Sequence, residues 1–258
     1  MTELQPGVAA RYAALEQALA KALAASNRPP RAVTLLAVGK TFDERALEAV
    51  ADLGQRAFGE NYAQEGCAKV DWFKGHRPDL KLEWHFIGPL QANKTRMVAE
   101  RFDWVETVDR LRIAERLSAQ RPAGMAPINI LLEVNIDGEA TKSGVAPDAL
   151  DALIDEVAKL PNVVIRGLMA IPAPADSPEK RLAPLRAMRA LFDDIRLRRT
   201  ELPLFDTLSM GMSADLAEAV EAGSTQVRVG SAIFGARAYP PARGAAAPDF
   251  EQKEDIHG

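Results

Sequence analysis

Short apolar runs alternate with amphipathic stretches along almost the whole of this chain, and that alternation limits the folds open to it. The runs lie near Val33–Val38, Ala57–Phe58, Glu83–Ile87, Trp104–Thr107, Ile128–Val134, Val164–Met169, Thr207–Met210 and Val227–Val229. Between them, helical spacing of apolar residues predicts helices near Asp43–Leu53, Tyr62–Trp72, Lys94–Glu100, Arg110–Gln120, Asp148–Lys159, Ser177–Arg199 and Ala214–Ala222. Strands joined through helices run parallel, and a parallel sheet needs helices over its faces. Repeating the unit through 258 residues predicts an α/β fold, a single (β/α)8 TIM barrel. The rival is a doubly wound open sheet, but no G-x-G-x-x-G follows an early strand.

An extra N-terminal helix precedes the barrel, with Tyr12, Leu15, Leu19 and Leu23 at helical spacing over Val8–Ala25. Asn27-Arg28-Pro29-Pro30 ends it. Asp43, Asp109 and Ser213 are candidate helix caps, and Pro147-Asp148 opens another helix. Residues 1–237 form the predicted barrel domain. Residues 238–258, with Pro240-Pro241, Gly244 and a charged end, read as a flexible tail.

Composition narrows the function classes. A net charge of −4 argues against general nucleic-acid binding. No apolar stretch nears the ~20 residues that span a bilayer, and Met1–Gly7 lacks a secretory pattern. The single cysteine, Cys67, forms no intramolecular disulfide, so the cytoplasm is the expected compartment. His76, His85 and His257 are far apart in sequence, so no metal site is expected.

In a barrel, chemistry sits at the C-terminal ends of the strands and in the loops after them. Lys40 closes the run Leu35-Leu36-Ala37-Val38-Gly39. Burial disfavours the ammonium form, and the neutral amine forms a Schiff base with an aldehyde. At the last strand, Gln226-Val227-Arg228-Val229 leads into Gly230-Ser231. Loops after strands seven and eight often hold phosphate, with Ser209 as a hydroxyl donor and the Gly230 and Ser231 amides turned to the anion. Glycine in a turn explains that segment equally well when it is taken alone. An aldehyde that also carries a phosphate suggests pyridoxal 5'-phosphate (PLP).

Arg228 alternates with Val227 and Val229, so it faces the opposite side of the sheet. Inside the barrel it would meet an anion, a carbonyl or a ring nitrogen; outside, it would snorkel past helices. A permanent cation at a pyridine nitrogen opposes its protonation and weakens the cofactor as an electron sink. Asn61 is either a donor to a ring hydroxyl or a helix cap, and His85 reads as a packed core histidine. Gln91–Arg96 reads as a solvated entry into a helix, and Asp137–Gly144 as a long mouth loop.

Taken together, the motifs resemble the pyridoxal phosphate homeostasis proteins, the YggS/PROSC group related to the alanine racemase N-terminal barrel. The matching stretches are Leu36–Thr41, Phe58–Tyr62, Trp84–Gln91, Lys142–Gly144, Gly167–Pro172, Leu208–Ser213 and Arg228–Gly235. The resemblance implies PLP on Lys40 as a Schiff base, with its phosphate on Ser209, Gly230 and Ser231. It also implies Arg228 at the pyridine nitrogen and Asn61 beside the ring. Gly39 and Ser231 depart from side chains frequent in that family; Ser231 stands where threonine is common.

A racemase needs a base on each face of the substrate carbon. In related alanine racemases the second is a tyrosine from an added β-domain, for which residues 238–258 leave no room. The tyrosines here are Tyr12, Tyr62 and Tyr239, and none ends a strand. The expectation is therefore a non-enzymatic protein of intracellular PLP (vitamin B6) homeostasis, buffering or delivering the cofactor. Its partners would be PLP and, transiently, PLP-dependent apoenzymes, and it would be a monomer. The alternative is a PLP-dependent amino-acid racemase-like enzyme; a more distant one is a Schiff-base aldolase.

Overall fold

The computed structural model describes residues 7–139 and 141–235. The strands are β1 (Thr34–Val38), β2 (Ala57–Glu60), β3 (Glu83–Phe86), β4 (Trp104–Val108), β5 (Ile128–Glu133), β6 (Val163–Met169), β7 (Thr207–Ser209) and β8 (Gln226–Val229). They close into one parallel barrel in sequence order, with β8 pairing back onto β1. The open-sheet alternative is thereby set aside.

Helix α1 (Val8–Ala25) precedes the barrel. Helices α2 (Glu44–Asp52), α3 (Ala63–His76), α4 (Thr95–Ala99), α5 (Leu111–Gln120), α6 (Leu150–Val157), α7 (Pro178–Arg198) and α8 (Leu216–Glu221) connect the strands. A last short helix, α9 (Ser231–Phe234), follows β8 and carries no sequence signal of its own. The predicted boundary at residue 237 and the tail 238–258 lie outside the described residues.

Period-two alternation divides the apolar residues between two layers. Val227 and Val229 join the large core between sheet and helices. The barrel interior holds two smaller apolar groups, Leu36/Val38/Ala57/Ile87 and Trp104/Leu131/Met169. Polar side chains fill the space between them.

Two of the expected caps are corrected. Asp43 does cap α2, accepting from the Ala46 amide at 2.9 Å. Asp109 instead binds the Arg110 guanidinium, and Arg110 occupies the cap position of α5. Asp215, not Ser213, precedes α8, and its carboxylate accepts from the Met212 amide at 2.6 Å. In both cases a neighbouring charged group takes the local hydrogen bond that a sequence pattern cannot apportion.

Candidate cofactor site

Closure of the barrel brings Lys40 and Gly230 together. The β1–β8 register pairs Leu36 with Arg228 and Ala37 with Val229, so the Lys40 turn and the Gly230 turn leave adjacent strands at the same end. A side chain at Gly230 would be crowded, because a Cβ would sit 3.1 Å from the Val38 carbonyl oxygen. The Ser231 and Ala232 amides open α9, where helix geometry provides no intrahelical acceptor. Ser231 itself is exposed.

Lys40 is half-buried in a turn beyond β1, not in the strand itself. The turn is closed by the Phe42 amide on the Gly39 carbonyl at 3.1 Å. Thr41 has φ 69°, a conformation that is rare for a β-branched residue. Such a residue costs of order 1–3 kcal/mol and persists only where its surroundings impose it. The constraint comes from Glu65, whose carboxylate accepts the Thr41 amide at 2.6 Å. Below the turn, Lys69 is 2% exposed and donates to the Gly39 carbonyl, Glu60 and Glu65. Burial pushes the Glu60 carboxyl up to about 7, with Lys69 opposing the shift. A side chain at Gly39 would crowd this cluster, since a Cβ there would stand 2.7 Å from Glu60 Oε1 and 2.9 Å from Leu47.

Arg228 points into the barrel and is 6% exposed. Its guanidinium donates to Ser209 Oγ at 2.7 Å and to the Ala170 carbonyl at 2.9 Å. Asn61 follows β2, and its buried Oδ1 has no hydrogen-bond partner. An unsatisfied buried acceptor of this kind costs about 1–3 kcal/mol. It marks a place where a ligand donor is wanted.

Ser209 is fully buried, and its hydroxyl is already engaged. It donates to Glu106 Oε2 at 2.7 Å and accepts from Gln226 and Arg228. In the loop after β7, Ser213 is exposed and its hydroxyl has no hydrogen bond among the described residues.

The polar chain continues beneath Ser209. Glu106, fully buried, accepts from His85 Nδ1 at 2.7 Å and from Gln226 at 2.6 Å. His85 Nε2 lies 2.9 Å from Glu83, and the ring stacks on Trp104. Both ring nitrogens face carboxylates, which only accept, so the imidazole is doubly protonated. Burial alone would lower its pKa; Glu106 and Glu83 more than offset that and hold it at about 9. His85 is thus a core residue, as expected, but a charged one.

This pair predicts an alkaline limit to stability. The folded state keeps a proton that the unfolded chain releases above the ordinary histidine value of about 6.5. The stabilisation is complete below about pH 6.5 and lost as pH rises through about 9. Its size is at most about 3 kcal/mol. Urea unfolding at about pH 6 and about pH 10 should show that loss in the wild type and not in His85→Gln; equal losses in both would refute the assignment. The raised carboxyls of Glu60 and Glu133 act lower, between about 4.5 and 7.

Glu133 is one of the residues at the mouth that sequence reasoning missed. It ends β5 and is 9% exposed. Burial, reinforced by Asp109, raises its carboxyl to about 7 against the pull of Arg228. The sequence places it inside the run Ile128–Val134, where an acidic residue among apolar ones was the only signal. Tyr62 is 55% exposed beside Asn61. Tyr12 is buried, with its hydroxyl on Gln55, and Tyr239 lies outside the described residues. Gln91–Arg96 forms a turn into α4, where Thr95 is buried on Ala92 and Gln120. The mouth loop is tied down by Asp137, which binds Lys142 at 2.6 Å and the Ala173 amide at 2.8 Å.

The family profile for the alanine racemase N-terminal domain matches residues 12–238. A pyridoxal phosphate homeostasis protein of Vibrio alginolyticus is 50% identical over 213 residues, covering 83% of this chain and 90% of that protein. One from Escherichia coli K12 is 48% identical over 232 residues, covering 90% and 97%. The chain belongs to the pyridoxal phosphate homeostasis protein family. Among solved structures, PipY of Synechococcus elongatus PCC7942 with PLP bound is 34% identical, with TM-score 0.72 over 84% of this chain and all of PipY. Alanine racemase of Corynebacterium glutamicum shares the fold at 18% identity, with TM-score 0.61 over 86% of this chain and 62% of the racemase.

The site as built here suits the cofactor that gives this family its name. The Lys40 turn lies beside the Gly230 turn, a guanidinium projects into the barrel, and Asn61 holds a buried acceptor without a partner. No helix among the described residues is long and apolar enough to cross a membrane.

Proposed function

We propose that this protein binds PLP reversibly at the mouth of the barrel and buffers or delivers it within the cell. The observation that carries this is the β1–β8 register, which sets the Lys40 turn beside the Gly230–Ser231 turn. A ligand with an aldehyde and a phosphate matches that pair. Lys40 supplies the amine, and the Gly230 and Ser231 amides receive the phosphate. Arg228 faces the pyridine nitrogen, and Asn61 takes a donor beside the ring. Bound there, PLP supplies an aldehyde that condenses reversibly with the Lys40 amine. Arg228 keeps the ring nitrogen unprotonated, which suits holding the cofactor more than driving carbanion chemistry.

The protein acts in the cytoplasm as a monomer, with PLP-dependent apoenzymes as transient recipients. One observation favours an enzyme instead: Glu133, a mouth carboxyl near 7, has the pKa of a general base. The test is an absorbance spectrum with added PLP, borohydride reduction and peptide mass analysis, then assay of the loaded protein with amino acids. A pyridoxyl adduct on the Lys40 peptide without appreciable racemisation supports a carrier. Racemisation that disappears in Glu133→Gln would replace it with the enzyme.

Ser209 at the end of β7 and Ser213 in the loop after it separate by mutation. Ser209 was the expected phosphate donor, but its hydroxyl would have to leave Glu106 to serve. We assign the direct phosphate contact to Ser213, and to Ser209 the support of Arg228. Ser213→Ala should weaken PLP retention by about 1.5–3 kcal/mol, the worth of a charge-assisted hydrogen bond, with unchanged stability. Ser209→Ala should lower folding stability by about 1 kcal/mol or more. The reverse pattern in equilibrium dialysis and urea unfolding would return the phosphate to Ser209.

A further inference from the structure

We propose that Lys69 is a positioning residue for Lys40: from α3 it holds the turn that aims the reactive amine. The inference rests on the PLP reading of the site and concerns residues which that reading leaves unused.

An ammonium has three donors, and Lys69 uses all of them. They go to the Gly39 carbonyl at 2.8 Å, Glu60 Oε1 at 2.9 Å and Glu65 Oε1 at 2.6 Å. Glu65 Oε1 in turn accepts the Thr41 amide. The peptide groups on both sides of Lys40 are therefore fixed by one cluster, the carbonyl before it and the amide after it. Thr41 is kept in left-handed backbone, which a free turn would relax.

The cluster is a poor device for stability alone. A buried ion pair seldom outperforms apolar packing, and its best-attested use is to specify one geometry. Here Glu60 keeps one buried oxygen, Oε2, without any partner, so the cluster is not optimised as a packing unit. What it does specify is the direction in which Lys40 leaves the backbone. That direction matters because the phosphate and ring contacts come from other strands. An amine held on target condenses far faster than one that must search for the aldehyde.

The test compares wild type with Lys69→Met, which keeps an unbranched side chain one atom shorter and removes the donors. Three quantities are measured. The first is the rate of borohydride-trappable adduct formation with PLP. The second is the affinity for 4-deoxypyridoxine 5'-phosphate, which lacks the aldehyde. The third is hydrogen exchange of the Thr41 amide in the ligand-free protein. Positioning predicts adduct formation slowed by about tenfold or more, deoxy-analogue affinity within about twofold, and faster exchange at Thr41. Equal losses for PLP and the analogue would show a merely structural role, and an unchanged adduct rate would also overturn the proposal. Should Lys69→Met fail to fold, Glu65→Gln replaces it. That change keeps an acceptor for Thr41 and weakens the hold of Lys69, so a smaller slowing of the same kind is expected, and no slowing overturns the proposal. If the wild type forms no adduct, the PLP reading fails; exchange at Thr41 still decides the clamp, with faster exchange in the variant supporting it and unchanged exchange overturning it.

Discussion

Lys40→Ala should abolish the reducible PLP adduct completely while leaving a folded protein. The amine is the only group at the Gly230 side of the mouth proposed to bond covalently with the aldehyde. Lys69 also lies near, but all three of its donors are held by Gly39, Glu60 and Glu65. The fold survives because Lys40 sits on a turn outside the apolar core. PLP would then bind through the phosphate turn and Arg228 alone and dialyse away more readily. The measurement is borohydride reduction followed by mass analysis of the intact chain and its peptides. An adduct of wild-type yield in the variant would show that another lysine holds the cofactor, and the site assignment would fall.

Glu106→Ala should have the largest effect on stability. Glu106 is fully buried and receives hydrogen bonds from His85, Gln226 and Ser209. Its removal leaves the His85 imidazolium without its shorter carboxylate contact and removes the negative charge that faces Arg228. Breaking a buried charged pair from one side costs about 3–5 kcal/mol, a large share of the 5–15 kcal/mol that holds a typical domain. Glu106→Gln should cost less, since it keeps the volume and some hydrogen bonding. Urea unfolding at neutral pH measures both. A loss under about 1 kcal/mol for Glu106→Ala would mean that the interior chain is relaxed by water or by deprotonation of His85.

The two expectations differ in how they were reached. Lys40 was legible in the sequence because it closes an apolar strand and so breaks the local pattern. Asn61 and the Gly230 turn were legible in the same way, as polar or flexible residues at strand ends. Arg228 was half legible: alternation put it opposite Val227 and Val229, but alternation does not say which face is the interior. Glu106 was not legible at all. It lies mid-strand in a run read as Trp104–Thr107, and its partners are His85, Ser209 and Gln226, of which the last is 120 positions away. Ser209 was singled out as a hydroxyl at the end of a strand, but that this hydroxyl donates to Glu106 was not legible.

What the sequence determined by itself was the architecture and the place of the turns at the barrel mouth. Periodicity of two and of 3.6 is set by neighbouring residues, so every strand and nearly every helix could be placed from local pattern. Exit from a strand is equally local, so the turns bearing Lys40, Asn61 and Gly230 could be found. Tertiary structure alone decided which residues share the interior. Closing β8 onto β1 joins segments nearly 200 residues apart in register. It also makes one charged column from residues on β3, β4, β7 and β8. The partners of a buried charge are chosen by that closure, because only a sealed interior removes the water that would otherwise serve each group separately.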